Sequence, residues 1–200
     1  VPLRNIYGST ETGLLTCHQG ERFDLETVGR WMESLPALNA PLQWRVSEVG
    51  ELQVRGGSPF LGYYRREGSV ESKLQDGWFQ TGDAVTKTER GELVFLERLS
   101  DLKRLRSGES FPPQFVETRL RFSPFIKDIM TVGDETLDFV AALININFDV
   151  VSRWAEDKRV GFSTFTDLSQ KPEVAELLRA EIQRVNGFLP THARVVRFAN

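Results

Sequence analysis

DGWFQTGDAVTKTERGELVFLERLSDLKRLRSGE, residues 76–109, decides how the chain is read. Asp76-Gly77 and Arg90-Gly91 are turn dipeptides, because glycine reaches positive φ without steric cost. Residues 85–88 and 92–98 can pair as a hairpin through a short loop containing Gly91. In the second strand Leu93 and Phe95 share one face and Val94 and Leu96 the other, which predicts cover on both sides. Thr81-Gly82 reads as a turn that sets Asp83 at a strand start. A carboxylate fixed there can accept two hydrogen bonds from a sugar diol, or it can simply cap the turn. Arg98 closes the hairpin and opens the charged run 97–104, of a kind that is usually a solvated linker.

Composition narrows the classes around that stretch. A hydrophobic content of 40% with 26% charged residues is ordinary for a globular chain, and 200 residues suffice for one large domain or two small ones. A net charge of −3, with no basic block interleaved with aromatics, makes no electrostatic case for nucleic acid. Cys17 is the only cysteine, so no internal disulfide can form, and a cytoplasmic location is expected. No apolar run reaches the length of a membrane span, and no signal peptide is seen. His18 and His192 are too few for a histidine-rich metal site. Cys17 and His18 are neighbours that rarely face each other, which disfavours a thiol dyad. The chain opens at Val1 directly into a structured-looking segment, as a piece of a longer protein would.

Upstream, residues 3–7 read as the end of a buried strand turning at Gly8. In Tyr7-Gly-Ser-Thr-Glu11, Tyr7 can stack on a purine, Thr10 can donate to a phosphate, and Glu11 is a hard oxygen ligand suited to Mg²⁺. The same five residues also read as a polar loop. Residues 28–30 and 36–41 read as loops between short strands. Residues 49–55 alternate strictly, predicting a half-buried strand. The glycines of 55–64 invite a phosphate-loop reading. That segment lacks the Lys-Ser/Thr ending and the following helix, so a tight bend between antiparallel strands is expected.

Downstream, Pro112-Pro113 opens a helix over 114–121 with Val116 and Leu120 on one face, which stops before Ser123-Pro124. Residues 126–132 and 139–146 read as β-branched strands. Residues 149–158 read as an amphipathic helix presenting Val150, Val151, Trp154 and Ala155. Ser169 can start a last helix with Pro172 in its first turn and an apolar stripe of Val174, Leu177, Leu178, Ile182, Val185 and Leu189. Residues 194–198 read as a closing strand. The expected fold class is α+β: an antiparallel β-rich part over 1–97, then a small α+β domain over 98–200.

Four motifs in this order, YGSTE at 7–11, ELQVRGGSPFLGYY at 51–64, DGWFQTGD at 76–83 and ERLSDLKRLRSGESFPPQFVE at 97–117, resemble the AMP-forming acyl-CoA synthetases of the adenylate-forming superfamily. VAALININFDVVSRWAED and FTDLSQKPEVAELL are similar to its long-chain fatty-acid branch. The resemblance implies that 1–97 is the end of the large AMP-binding N-terminal domain and 98–200 the small mobile C-terminal domain, incomplete at its end. It implies that Tyr7 packs on adenine, Thr10 binds the α-phosphate, Glu11 holds Mg²⁺, Asp83 binds the ribose hydroxyls and Arg98 contacts the ribose. Residues 97–102, with Ser100 and Asp101, would form the hinge, and Gly108 would line the path of CoA. ATP and CoA are the implied cosubstrates and a fatty acid the substrate, and the resemblance allows peripheral membrane association of the parent protein. The chain departs from the family pattern at Ser100, where Asp or Lys is common, and at Arg104, where lysine is expected. The family's phosphate loop and its C-terminal adenylation lysine are not found, so the 200 residues alone are expected not to catalyse adenylation. A non-catalytic nucleotide- or partner-binding module and an adenylation enzyme loading a carrier protein are the alternatives.

Overall fold

The structure, a computed structural model, describes residues 3–20, 24, 26–35, 40–56, 60, 62–65 and 73–200. The chain divides into two compact units, Val1–Ser100 and Asp101–Asn200. The expected loop at 36–39 and much of the expected bend at 57–61 lie outside the described residues.

The first unit is built on an antiparallel sheet. Its strands are β1 Ile6–Ser9, β2 Gly13–Cys17, β3 Gly29–Trp31, β4 Ser34–Leu35, β5 Ala40–Val46, β6 Glu51–Gly56, β7 Leu74–Gln75, β8 Trp78–Lys87 and β9 Glu92–Arg98. They run in the order β1-β2-β3-β9-β8-β6-β5-β4, with β7 paired to β8. Asp76 and Gly77 both take positive φ, the backbone that a tight two-residue hairpin turn demands, and join β7 to β8. Gly91 does the same work between β8 and β9. Leu15, Leu42, Leu52, Val54, Val85 and Leu93 form the core, with Tyr7, Trp31, Trp44 and Phe79 packed against it.

Four local expectations need correction here. Residues 3–7 are not a buried strand end: Leu3 is 86% exposed, and β1 runs through Gly8 rather than turning there. Gly8 sits at a bulge where a Cβ would lie 2.1 Å from the Gly13 carbonyl oxygen, so the missing side chain serves close approach of β1 to β2. Residues 29–31 are a strand, not a loop. Asp83 lies inside β8, since that strand continues through Thr81 and Gly82. β6 is buried on both faces over Glu51, Leu52, Gln53 and Val54. Glu51 and Gln53 tolerate this because Glu51 accepts from the Gly82 N–H at 2.9 Å and Gln53 bonds Gln80 and Arg45 at 2.6 Å each.

In the second unit, β10 Lys103–Arg104 and β11 Ser110–Phe111 form a short ribbon. A separate sheet, β12 Ile126–Val132, β13 Val140–Ile146 and β14 Val195–Ala199, pairs β12–β13 antiparallel and β13–β14 parallel. The parallel pair is reached through α2 Phe148–Asp157, α3 Phe165–Ser169 and α4 Pro172–Asn186, the crossover that such pairing requires. α1 Pro113–Arg121 buries Val116 and Leu120, and α4 buries Val174, Leu178, Ile182 and Val185. Ser169 ends α3 instead of capping α4; the residue before α4 is Lys171, with Pro172 in the first turn supplying the start. No helix among the described residues is long and apolar enough to cross a membrane.

Candidate functional site

The cross-strand pair at the open end of the β8–β9 hairpin is Asp83 and Arg98. Asp83 is 6% exposed. Arg98 Nη1 donates to Asp83 Oδ1 at 2.7 Å and to the Thr81 carbonyl at 3.2 Å. The other carboxylate oxygen, Oδ2, accepts from the Tyr7 hydroxyl, which arrives from β1 across 76 residues of sequence. Thr81 fixes the base of the arrangement: its hydroxyl donates to the Leu52 carbonyl at 2.7 Å and accepts from the Asp83 N–H at 3.1 Å. Gly82, at φ +74, lets the strand bend locally without a Cβ penalty. A buried carboxylate with donors from two different elements on its two oxygens is rotationally fixed.

Tyr7 lies half-buried with its ring centroid 6.1 Å from that of Phe95. Burial, and then the bond to the Asp83 carboxylate, push the Tyr7 phenol above the ordinary tyrosine range, while Arg98 and Thr81 pull weakly the other way.

Glu11 stands beyond the end of β1, in the turn before β2, and is held by a different group. The Tyr63 hydroxyl donates to Glu11 Oε1 at 2.5 Å. That bond is the largest of the influences that hold the Glu11 carboxyl below the ordinary glutamate range, and Lys73 adds a smaller one. Thr10 is exposed in the same turn, which Ser9 and Thr12 close by a 3.3 Å backbone bond and a 3.0 Å hydroxyl contact. A neighbouring cavity of about 140 Å³ is lined by Glu11, Thr12, Leu15, Phe60 and Phe79 among others. Among the described residues no three His, Cys, Asp or Glu side chains gather as a metal cluster. A single half-buried, ionised Glu11 therefore fits Mg²⁺ only as one ligand of an ion whose other oxygens come from phosphate and water.

The structure thus joins Tyr7, Asp83 and Arg98 in one hydrogen-bonded group and sets Thr10 and Glu11 just beyond the strand that carries Tyr7. Ser100 and Asp101 both lie in the 3-10 turn Leu99–Asp101 that follows β9, at the boundary of the two units. Gly108 belongs to the second unit, at φ +87 in the β10–β11 loop, where its carbonyl accepts from Arg104 Nε at 3.3 Å. His18 takes no part in a dyad with Cys17. Its Nδ1 accepts from the Asn5 N–H at 3.1 Å, which leaves the proton on Nε2 to donate to the Thr27 carbonyl at 3.0 Å. Sequence reasoning missed Tyr63 and Lys73. The only signal was an aromatic residue within the 51–64 motif, and nothing in its spacing pointed at Glu11.

No family model matches the chain. A long-chain-fatty-acid–CoA ligase of Mycobacterium bovis is 31% identical to it over 193 residues, covering 96% of this chain and 31% of that protein. Long chain acyl-CoA synthetase 1 of Arabidopsis thaliana is 31% identical over 191 residues, covering 88% of this chain and 28% of that one. The chain belongs to the long-chain acyl-CoA synthetase family. It spans about a third or less of the length of these relatives. Among solved structures, unliganded O-succinylbenzoate coenzyme A synthetase of Bacillus subtilis matches with TM-score 0.64 and 21% identity, over 99% of this chain and 38% of that one. The adenylation domain of a carboxylate reductase of Mycobacterium chelonae matches with TM-score 0.58 and 21% identity, over 98% of this chain and 29% of that one. At such identities these two show the fold, which is that of adenylate-forming ligases. The motifs at 7–11 and 76–83 that carried the resemblance are, in this synthetase-family chain, the segments that supply Tyr7 and Asp83.

Proposed function

We propose that this chain is part of an enzyme that activates a long-chain fatty acid with ATP to an acyl-adenylate and passes the acyl group to CoA. The observation that carries this reading is the Asp83 carboxylate held between Tyr7 and Arg98. Each of its two oxygens offers two lone-pair directions, so one donor on each leaves one on each for a vicinal diol, the feature that ribose presents. The Tyr7 ring, half-buried beside that carboxylate, is the flat surface an adenine needs.

In this reading residues 1–97 belong to the AMP-binding domain and 98–200 to the small domain. Asp83 orients the nucleotide through its ribose, and Arg98 holds Asp83 in place while reaching the same sugar. Thr10, exposed at the turn, donates to the α-phosphate. Glu11 supplies one carboxylate oxygen to Mg²⁺, which when bound with the phosphates neutralises charge at the phosphorus under attack. Residues 97–102, including Ser100 and Asp101, act as the hinge between the two half-reactions, and Gly108 gives the thiol arm of CoA a passage without a side chain.

The test uses the complete protein that carries this chain. Exchange of pyrophosphate into ATP should require a long-chain fatty acid, and added CoA should yield the acyl thioester. The 200 residues alone should support neither. Exchange that ignores fatty acids, or robust exchange by the 200-residue chain, would overturn the reading.

A further inference from the structure

Tyr63 lies within a run of glycines and aromatics, but its hydroxyl reaches Glu11 across 52 residues of sequence at 2.5 Å. Its ring meets Phe60 edge-on with centroids 4.9 Å apart. The Phe60 N–H in turn donates to the Glu11 carbonyl at 3.3 Å. Lys73 Nζ lies 3.4 Å from the same Tyr63 hydroxyl and 5.8 Å from the centre of its ring. The direction of these bonds follows from the groups involved. An ammonium only donates and an ionised carboxylate only accepts, so Lys73 donates to Tyr63 and Tyr63 donates to Glu11. Each donation strengthens the next along such a chain.

We propose that Tyr63 is a positioning residue for Glu11. Its phenol, backed by Lys73 and seated on Phe60, fixes which way the Glu11 carboxylate faces and leaves the remaining lone pairs of that carboxylate to a divalent cation accompanying a nucleoside triphosphate. The proposal rests on the nucleotide-site reading above. A glutamate on an exposed-edged turn has several free torsions, and ordering it in advance removes that entropy cost from metal binding. Partners that orient a metal-binding side chain in this way act on affinity without touching the ion.

The experiment titrates the complete protein with Mn²⁺ in the presence of ATP, reading free Mn²⁺ by electron paramagnetic resonance. Tyr63→Phe keeps the ring on Phe60 and deletes only the hydroxyl. Its Mn²⁺ affinity is expected to fall about ten-fold, while metal-free binding of AMP, measured by calorimetry, stays as in the wild type. Unchanged Mn²⁺ affinity in the folded variant overturns the proposal, and so does an equal loss for Mn²⁺ and AMP, which would mark a merely structural role. Should Tyr63→Phe fail to fold, Lys73→Met is read the same way, with a loss of about three-fold expected and no loss overturning it. Glu11→Gln separates the two layers. Loss of Mn²⁺ binding in Glu11→Gln with none in Tyr63→Phe removes only the role of Tyr63, whereas full binding in Glu11→Gln removes the metal role of Glu11 and the proposal with it.

Discussion

Asp83 and Arg98 are directly opposed across β8 and β9, and their side chains meet at 2.7 Å although the arginine side chain is 60% exposed and the aspartate side chain only 9%. The asymmetry matters. The buried partner needs the pair more than the exposed one, and a single arginine nitrogen, Nη1, serves both Asp83 and the Thr81 carbonyl at once. Arg98→Lys keeps the charge, but its shorter side chain cannot bring a donor to the place of Nη1. It is expected to raise the KM for ATP about ten-fold, the effect of losing roughly 1.4 kcal/mol of charge-assisted bonding. Steady-state kinetics of the complete protein checks this, and an unchanged KM would show that the Arg98 guanidinium has no part in nucleotide binding.

The Tyr7 phenol gives a pH signature. Burial and the Asp83 carboxylate raise its pKa above 10.0 in the folded chain, while the unfolded chain ionises near that ordinary value. Above it the unfolded state releases a proton that the folded state keeps. The contribution of this proton is therefore whole below about pH 10 and is lost as pH rises toward the folded value. Urea midpoints measured across the alkaline range should fall more steeply for the wild type than for Tyr7→Phe. Parallel slopes would mean that Tyr7 does not hold its proton as the geometry requires.

Gly8 offers a test of the strand that carries Tyr7. A Cβ there would meet the Gly13 carbonyl oxygen at 2.1 Å and the Leu14 Cα at 2.9 Å, both backbone atoms that cannot swing aside. Gly8→Ala should part β1 from β2 and cost about 2–4 kcal/mol of stability, with nucleotide affinity falling as Tyr7 leaves Asp83. Thermal unfolding together with AMP calorimetry measures both effects. Alanine tolerated at full affinity would contradict the bulge.

Much of this was legible in the sequence, and the failures have physical reasons. Asp76-Gly77 announced a turn and Gly91 its hairpin because such turns require positive φ, a local demand that only a few residues meet. Val116 and Leu120 announced the buried face of α1 by their spacing. Gly8 misled because glycine serves close approach as well as turning, and only the partner strand tells which. β6 looked half-buried because Glu51 and Gln53 are polar, yet their far ends find donors and acceptors on neighbouring strands. Ser169 looked like a cap because the short helix before it, α3, carries too few residues to show a period. At the candidate site, Tyr7, Glu11 and Asp83 could be named from motif resemblance. The bond from Tyr63 to Glu11 could not, since a contact 52 residues apart leaves no trace in local spacing.

A buried leucine in the second unit provides a stability control. Leu178 on α4 is fully buried in the core with Val116 and Ile144. Leu178→Ala should destabilise that unit by about 2–5 kcal/mol through lost burial and the cavity left behind. Chemical denaturation of the variant measures it, and a loss below about 1 kcal/mol would mean the core there is not packed as described.

The central claim is that Asp83 reads a ribose diol, and calorimetry on the complete protein tests it most directly. AMP and 2′,3′-dideoxy-AMP are titrated into the wild type and into Asp83→Asn. The account predicts that the wild type binds AMP about 100-fold more tightly than the dideoxy analogue, and that Asp83→Asn erases most of that preference by weakening AMP alone. Equal affinity of the wild type for both ligands, or a preference for AMP that survives Asp83→Asn intact, would contradict it.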